Sequence, residues 1–467
     1  MILAYQTLSL SVQGAGGAES ISEGIAKVIN ENFAGQSLTL MYPKGALSNV
    51  QAVVQKFHAL TKVKIQLREA ALDSISSELI LESKLNGHRK SVDVALPATF
   101  SIADMVEASA VISLSSFSDK YKKYLNSKKS LYELGDFYKG ELYGYQADGD
   151  TYMMFYNKSW IEDSNNKKRY RSLYGKSLAV PNTWSELDRQ MKFFHNPSQN
   201  KFGGNLFRNL NYTVWEYWSR LHSSGTFPVD KDFKPQFHKK SAVRALEDLV
   251  KASKYLDPRT GSDNLFENFQ SFAEGNSFCN IGWGGTQKYL VSESSKMKNN
   301  LLFGLIPGAV IGGEEVSVPY FNWGWNYVVS SRSKKQELAY LFCLFASSEE
   351  VSTASIQAEG YFDPFLEAHY DDKKILKRYG ENFLSIHKES LQNSIPDFYV
   401  QGQGAYFAAL KQAVYMSCRG DLDPKSALLA VNKKWDRITE SIGREKQKEQ
   451  WLFLQKSYPE KIRRALK

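Results

Sequence analysis

Asp148 and Asp150, separated by a single glycine, form the pair of residues in this chain whose types and spacing most clearly suggest chemistry. The segments 141–145 and 152–156 on either side have the pattern of strands, so we expect both carboxylates at a break between strands. An ionised carboxylate accepts hydrogen bonds from two hydroxyl groups at once, and it also attracts a positive charge. The pair therefore predicts a site for a polar solute. A solvated turn, which aspartate tolerates well, is the structural alternative.

Three tryptophans lie next to predicted strands and are candidates for the walls of the same site. Trp283 ends the strand predicted at 278–283 and is followed by two glycines, and Trp323 and Trp325 come just before the strand predicted at 327–330. The C–H faces of a sugar pack on aromatic rings, which are large and stiff. Packing in a hydrophobic core is the alternative for each ring. Four further candidate ligand-binding residues are Phe207, Arg208, Tyr361 and Phe362.

The sequence contains no recognisable catalytic or metal-binding constellation. Its seven histidines are scattered without HExxH spacing, and no phosphate-binding loop or nucleophile elbow is found. The three cysteines, Cys279, Cys343 and Cys418, are far apart and form no CxxC pair. We therefore predict a binding protein rather than an enzyme, with no cofactor and no metal. A glycan-active enzyme stays open as the alternative, such as a glycosyltransferase that holds Mg²⁺ or Mn²⁺ through a DxD pair.

The elements that must position these residues begin with a regular alternation of strands and helices. Strands are predicted at 38–42, 63–67 and 92–96, and helices at 50–60 and 75–80 lie between them. This order is typical of a parallel sheet covered by helices. Ligands bind beyond the carboxyl ends of such strands. The turns at 43–48 and 97–100 follow two of these ends, so Lys44 and Thr99 join the candidate site residues.

The bulk composition is that of a globular protein with two large lobes rather than one core. The chain has 467 residues, of which 42% are hydrophobic and 23% charged, with a net charge of +9. The positive charges are spread along the chain and interleaved with acids, which argues against a nucleic-acid partner. No apolar run reaches the ~18–20 residues of a membrane helix. Residues 1–36 are predicted to be a leader element with a strand at 8–12, a glycine-rich turn at 14–17 and an amphipathic helix, and no signal peptide is recognisable in them.

Six segments, in this order, resemble extracellular solute-binding protein family 1, the sugar-type binding proteins of bacterial ABC importers. The resemblance covers roughly residues 37–440. The segments are 93–97 with 105–108 (DVALP and MVEA), 140–145 (GELYGY), 154–158 (MFYNK), 181–187 (PNTWSEL), 272–276 (FAEGN) and 323–325 (WGW). The chain departs from the family pattern at Asn276, where lysine is frequent, and in the segment after Tyr361.

The resemblance implies an α/β, two-lobed periplasmic-binding-protein type II fold with discontinuous lobes joined by a hinge. Lobe one would comprise residues 37–147 and 306–348, and lobe two residues 148–305 and 349–467, the last part mostly helical. The protein would be a monomer outside the cytoplasm, periplasmic or extracellular. It would capture a small polar solute, a sugar or polyol, by hinge closure and deliver it to the transmembrane permease subunits of an ABC importer. A polyamine or another organic cation is the alternative ligand, because the two aspartates suit a positive charge.

Overall fold

The computed structural model describes residues 20–85, 91–125 and 130–466. The strands are β1 Ser37–Pro43, β2 Lys64–Ala70, β3 Val94–Ala95, β4 Phe137–Tyr138, β5 Glu141–Leu142, β6 Gly144–Gln146, β7 Met153–Asn157, β8 Cys279–Gly282, β9 Leu301–Leu305, β10 Ala309–Ile311, β11 Glu314–Val316 and β12 Asn326–Val329. The strand predicted at 8–12 and the turn predicted at 14–17 lie outside the described residues.

The α-helices outnumber the strands and dominate the C-terminal third, as the sequence predicts. They are α1 Ile21–Asn32, α2 Leu47–Thr61, α3 Ile75–Lys84, α4 Ile102–Glu107, α5 Ser115–Lys120, α6 Lys158–Glu162, α7 Ser164–Tyr174, α8 Trp184–Phe194, α9 Thr213–Ser223, α10 Lys240–Ala252, α11 Leu265–Ala273, α12 Gly284–Leu290, α13 Gln336–Ser347, α14 Glu349–Gln357, α15 Glu367–Asp371, α16 Lys373–Tyr379, α17 Glu381–Asn393, α18 Gln403–Arg419, α19 Pro424–Ile442, α20 Arg444–Lys456 and α21 Glu460–Ala465. None of the helices in the described ranges is long and apolar enough to cross a membrane.

The first sheet has five strands in the order β2-β1-β3-β12-β6. Strand β1 is parallel to both β2 and β3, so the predicted alternation of strands and helices at the start of the chain is confirmed. Strand β12 then pairs antiparallel with β3 and β6. The inward side chains of β1 and β3, such as Leu40 and Val94, are fully buried because helices cover the sheet. One of these helices is α1, the amphipathic helix predicted in the leader element, which packs on α2 and α13.

The second sheet has three strands, with β7 in the middle between β8 and β9. Both pairings are antiparallel. All five residues of β7 are buried, since the strand is central and is covered on both faces. The predicted strand at 278–283 is therefore confirmed as β8, within a residue or two at the ends.

The chain crosses between the two sheets in two stretches, and these stretches contain candidate site residues. Strand β6 belongs to the first sheet and β7 to the second, so residues 147–152 form one crossing. Residues 306–325 form another, between β9 and β12. The two crossings are joined by hydrogen bonds from Ala147 N to the Trp325 carbonyl at 2.8 Å and from Tyr152 N to the Tyr320 carbonyl at 2.9 Å. This connectivity gives a two-lobed α/β protein in which each lobe is built from separate stretches of chain.

Two local features differ from the sequence prediction. The segment 141–145, predicted as one strand, is split into β5, which pairs with β4, and β6, which pairs with β12. Helix α14 follows the second-lobe boundary predicted at 349, yet it packs against α2 beside the first sheet. The exact limits of the lobes therefore stay a prediction.

Candidate ligand-binding site

A cavity of about 520 Å³ opens where the crossings meet the ends of both sheets. Its size suits a small molecule. Gly45, in the turn after β1, lines it from the first sheet, and residues 283–294, around α12, line it from the second. Asp150, Trp323 and the segment 359–361 are also part of the wall. The wall therefore combines stretches that are far apart in the sequence and come from both sheets.

Aromatic rings form much of this wall. All three tryptophans predicted for the site line the cavity, together with Tyr361. The ring centroids of Trp323 and Trp325 lie 6.3 Å apart, and Tyr212 stacks on Trp323 at 6.1 Å. Trp283 is held in place because its Nε1 donates a hydrogen bond to the Asn322 carbonyl at 3.1 Å. Such fixed rings offer apolar faces to a ligand without much loss of side-chain entropy on binding.

The backbone at Trp323 is in the left-handed region, with φ of 85°, and Gly324 follows with φ of 58°. A bulky residue with this φ is unusual and costs roughly 1–3 kcal/mol, so the surrounding structure must hold it there. Thr99 does so by donating to the Trp323 carbonyl from its hydroxyl at 2.6 Å and from its backbone N at 3.1 Å. Asp397 accepts from the Trp323 N–H at 3.5 Å and from the Tyr320 hydroxyl at 2.7 Å. Burial raises the pKa of Asp397 to about 7.

Three buried aspartates, Asp148, Asp150 and Asp363, come together beside the cavity, and we call them the acidic triad. Each offers an oxygen, and these oxygens all lie within 4.8 Å of one another. Burial raises the pKa of Asp148 and Asp150 well above the ordinary range, and the charges of the neighbouring carboxylates add to the rise. Burial also raises the pKa of Asp363 to about 6, although the positive charge of Lys288 opposes it. The triad therefore favours protonated carboxyl groups, because closely spaced negative charges repel one another where water does not stabilise them.

The triad is held by a direct contact between two passages of the chain. Asp363 N donates to Asp148 Oδ1 at 2.6 Å, and Gly149 N donates to the Asp363 carbonyl at 3.1 Å. Position 149 must be glycine, because a Cβ there would overlap the Pro364 carbonyl oxygen. Asp363 also caps α12 by accepting from Gly285 N at 3.1 Å. Of the three aspartates, Asp150 is the one that lines the cavity.

Two basic residues in the wall were not predicted from the sequence. Lys288 on α12 is partly buried and donates from Nζ to the carbonyls of Gly360 at 2.7 Å and Phe362 at 2.6 Å. Burial lowers its pKa to about 8. Arg378 donates from Nη1 to the carbonyls of Gln357 and Ala358, both at 2.9 Å. Asp363 was also missed. No local motif marks these residues, because only the tertiary fold brings them to the cavity.

Several predicted site residues lie outside the cavity wall. Phe207 is buried behind it, with its ring 6.3 Å from that of Trp283. Phe362 is fully buried and packs edge-on against Tyr361 at 5.6 Å. Lys44 is exposed, and only its carbonyl approaches the site, where it accepts from the Tyr361 hydroxyl at 3.2 Å. Thr99 acts on the wall through the Trp323 carbonyl, and Asp148 lies in the triad behind Asp150; neither lines the cavity.

Arg208 belongs to a different cluster of buried charges, which we call the paired network: Asp188, Arg208, Glu216 and Arg220. Arg208 Nη1 lies 2.6 Å from Glu216 Oε2, and Arg220 Nε lies 2.8 Å from Glu216 Oε1. Arg220 also binds Asp188 with two nitrogens, at 2.6 and 2.9 Å. Burial alone would raise the pKa of Glu216, but the two arginines hold it below its ordinary value. The side chain of Arg208 is thus committed to ion pairing and does not reach the cavity.

Comparison with known proteins gives one family and a group of similar folds. The family described as bacterial extracellular solute-binding protein matches residues 52–382. An ABC transporter solute-binding protein from Agrobacterium radiobacter K84, solved with ribitol, has a TM-score of 0.73 at 15% identity over 87% of this chain and 99% of that one. Maltose-bound MalE3 from T. maritima gives 0.72 at 15% identity, covering 86% and 100% of the two chains. A solute-binding protein from Agrobacterium vitis S4 with D-mannitol gives 0.68 at 16% identity, covering 88% and 99%.

Proposed function

The chain belongs to the bacterial extracellular solute-binding proteins, and on that premise we propose that it is the substrate-binding component of an ABC importer for a sugar or polyol. The family resemblance found in the sequence is thereby confirmed, and so is the two-lobed α/β fold. The protein would act as a monomer in the periplasm or at the cell exterior, without catalysing a reaction. It would deliver its solute to the transmembrane permease subunits of the importer.

One observation carries the proposal: a small-molecule-sized cavity at the crossings between the lobes combines rigid aromatic walls with a buried carboxylate. Trp283, Trp323 and Trp325 offer faces for the C–H surface of a sugar ring or polyol chain, and Asp150 offers acceptors for its hydroxyls. The ligands named for the structural neighbours, which are ribitol, maltose and D-mannitol, have this combination of C–H faces and hydroxyl groups.

The mechanism we propose is closure of the two lobes around the solute. A ligand that touches both lobes binds the closed form more tightly and so shifts the equilibrium towards it. The rings of Tyr361 and Phe266 already lie against Gly45 in the turn after β1, which places groups from both sides of the cavity in contact. Closure would also remove water from the carboxylate and strengthen its hydrogen bonds.

A thermal-shift screen followed by calorimetry tests the proposal. We would use ribitol, D-mannitol, maltose and related sugars, with spermidine as the organic cation. A bound solute should raise the melting temperature by mass action, and above the Kd the increase should follow the logarithm of the solute concentration. Trp283→Ala should weaken binding, whereas Trp160→Ala, which changes a tryptophan outside the cavity wall, should leave the affinity unchanged. Binding of a sugar or polyol that is equally tight in both variants would contradict the proposed site.

The alternative ligand is an organic cation, and the excess of buried carboxylates in the triad favours it. The two possibilities differ in their response to salt, because screening weakens the attraction between charges but hardly affects hydrogen bonds to neutral hydroxyls. If spermidine is the ligand, its affinity should fall as the salt concentration rises, and Asp150→Asn should weaken it more than Trp283→Ala does. A neutral polyol should show neither effect.

A further inference from the structure

The acidic triad has a feature that solute binding alone does not require: it gathers three carboxylates around one point. We propose that Asp148, Asp150 and Asp363 form a binding site for a divalent cation, and that Ca²⁺ is the ion it fits best. The sequence predicts no metal, because it shows only two of the three ligands. The third, Asp363, is 215 residues from Asp148 along the chain. This inference goes beyond the proposed function and does not depend on it.

The geometry of the three carboxylates suits a calcium ion. Calcium binds oxygen ligands at about 2.3–2.6 Å, so two ligands on opposite sides of it lie up to roughly 5 Å apart. The oxygens offered by the triad lie within 4.8 Å of one another, inside that limit. Carboxylates are also the hard, charged ligands that calcium prefers, and its coordination tolerates irregular geometry.

An unsatisfied oxygen points independently to a missing partner. Asp148 has no exposed surface, and its Oδ1 accepts from Asp363 N. Its Oδ2 has no hydrogen-bond partner among the described residues. Burial of a carboxylate oxygen without a partner is costly, and native proteins rarely leave one so. Asp150, the nearest acid along the chain, can reach it only while one of the two carboxyl groups carries a proton, and a bound cation would take the place of that proton. A cation between them would satisfy both at once.

The charged groups around the triad would be balanced by two further positive charges. A bound divalent cation would displace the protons that burial favours on these carboxyl groups, and the three would then carry three negative charges beside one ammonium, that of Lys288, which attracts all three. Its Nζ is directed at the carbonyls of Gly360 and Phe362 rather than ion-paired with the triad. Arg378, the other cation of the cavity wall, is directed at the carbonyls of Gln357 and Ala358. One divalent ion would complete the balance, and it could enter through the cavity because Asp150 lines it.

Calorimetry on the full chain tests this site without any solute. The purified protein is dialysed against EDTA and then chelator-free buffer, and titrated with CaCl₂ in physiological salt. We expect one Ca²⁺ per chain, with a Kd on the order of micromolar, and weaker Mg²⁺ binding because Mg²⁺ demands regular octahedral geometry and gives up its water reluctantly. Asp363→Asn and Asp150→Asn should each weaken Ca²⁺ binding roughly 100-fold, since even outer-shell changes cost 10–100-fold. Asp371→Asn, at an exposed acid in the surface hollow that also contains Asp372 and Glu350, is the matched control and should bind normally.

Failure of the Ca²⁺ site can be distinguished from failure of the solute-binding function. Absence of Ca²⁺ binding to the chelated wild-type protein would overturn the site, even if a variant failed to fold. Binding that is unchanged in Asp363→Asn, or lost in Asp371→Asn, would place the ion elsewhere and would overturn it too. In each of these cases the solute-binding function would stand, because its own test measures the binding of sugars and polyols and does not depend on Ca²⁺ binding.

Discussion

The paired network holds four charged side chains, of which Arg208, Glu216 and Arg220 are buried and Asp188 is partly exposed. The acidic triad holds three buried carboxyl groups. Of the two clusters, the network matches its carboxylates with guanidinium groups and the triad does not. Glu216 has an arginine on each oxygen, and Asp188 has two bonds from Arg220. In the triad, by contrast, Asp148 Oδ2 has no partner within the described parts of the chain. The network lies away from the cavity, and the triad reaches it through Asp150.

The difference separates a structural role from a binding role. Buried charges that satisfy one another hold elements together, in this case α8, α9 and the segment around Arg208. Buried charges that do not satisfy one another weaken the fold, and they persist where something else supplies the missing partner. Removing a charge from the paired network should therefore lower the stability of the fold. Removing one from the triad should leave that stability unchanged or raise it.

The largest effect should come from Glu216→Gln, which leaves two buried arginines without their shared partner. We expect a loss of about 3–5 kcal/mol in the free energy of unfolding, because breaking one partner of a buried pair strands the other. Denaturant titration measures it. The control is Glu293→Gln, at an ion pair with Lys298 in which Glu293 is 92% exposed, where the free energy of unfolding should hardly change. Equal effects in the two variants would remove the distinction between the network and an ordinary surface pair.

Asp397 differs from both clusters, because it is buried and hydrogen-bonded but forms no ion pair with a described residue. Its protonation should make the stability of the protein depend on pH. Its pKa is raised by burial from 3.8 to about 7, so the folded protein binds a proton that the unfolded chain releases. Its contribution to stability should be fully present below about pH 4 and lost as the pH rises to 7, a change on the order of 2–4 kcal/mol. Asp397→Asn should lack this decline. The measurement is the difference in unfolding free energy between variant and wild type at pH 4, 5.5 and 7; a difference that does not change with pH would contradict the assignment.

In the triad, Asp150→Asn should lower affinity without lowering stability. Loss of a charge-assisted hydrogen bond costs roughly 1.5–3 kcal/mol, which is about tenfold to a hundredfold in the Kd for the solute. The melting temperature in chelator should stay the same or rise, because one of three crowded carboxylates is gone. Calorimetry and thermal unfolding on the same sample measure both. A drop in stability like that of Glu216→Gln would show that the triad, too, is mainly structural.

The smallest expected effect is that of Thr99, which touches Trp323 rather than the ligand. Thr99→Val removes the hydroxyl that donates to the Trp323 carbonyl and should cost about 1 kcal/mol, or a severalfold loss of solute affinity. Thr99→Ser keeps that hydroxyl and should restore the affinity. If serine and valine behave alike, the methyl packing of Thr99 matters and its hydrogen bond does not.

The sequence predicts the local elements well because they depend on local patterns. The alternating strands and helices from β1 to β3 are found. The segment 181–187 places Thr183 at the start of α8, where it caps the helix by accepting from Glu186 N at 3.3 Å. The split of 141–145 into β5 and β6 was missed, since hydrophobic alternation does not say which partner a strand finds. Trp283, Trp323 and Trp325 were predicted for the site from their places beside strand ends, and the structure puts all three at the cavity.

The rest of the site depends on contacts between distant parts of the chain. Asp363, Lys288 and Arg378 carry no motif. The packing of α12, α16 and the segment 359–363 brings Lys288 and Arg378 to the cavity wall and Asp363 to the triad beside it. Arg208 was predicted for the ligand site from its place shortly after Gly203 and Gly204. The sequence around it does not show that it belongs to an ion-pair network with Asp188 and Arg220. A single sequence shows which side chains could do chemistry, and only the fold shows which of them are already occupied.

The contact at Gly149 bears on the order of events during capture. The passages through Gly149 and Asp363 are fastened to each other with no space for a side chain, so we expect lobe rotation to pivot close to them. Groups near a pivot travel little, whereas Gly45 and Phe266 at the rim travel far. A solute would then meet Asp150 in nearly final geometry at first encounter, and the rim would follow in a slower step. Stopped-flow tryptophan fluorescence should resolve the two: a fast phase whose rate rises with solute concentration, and a later phase whose rate becomes constant at high concentration.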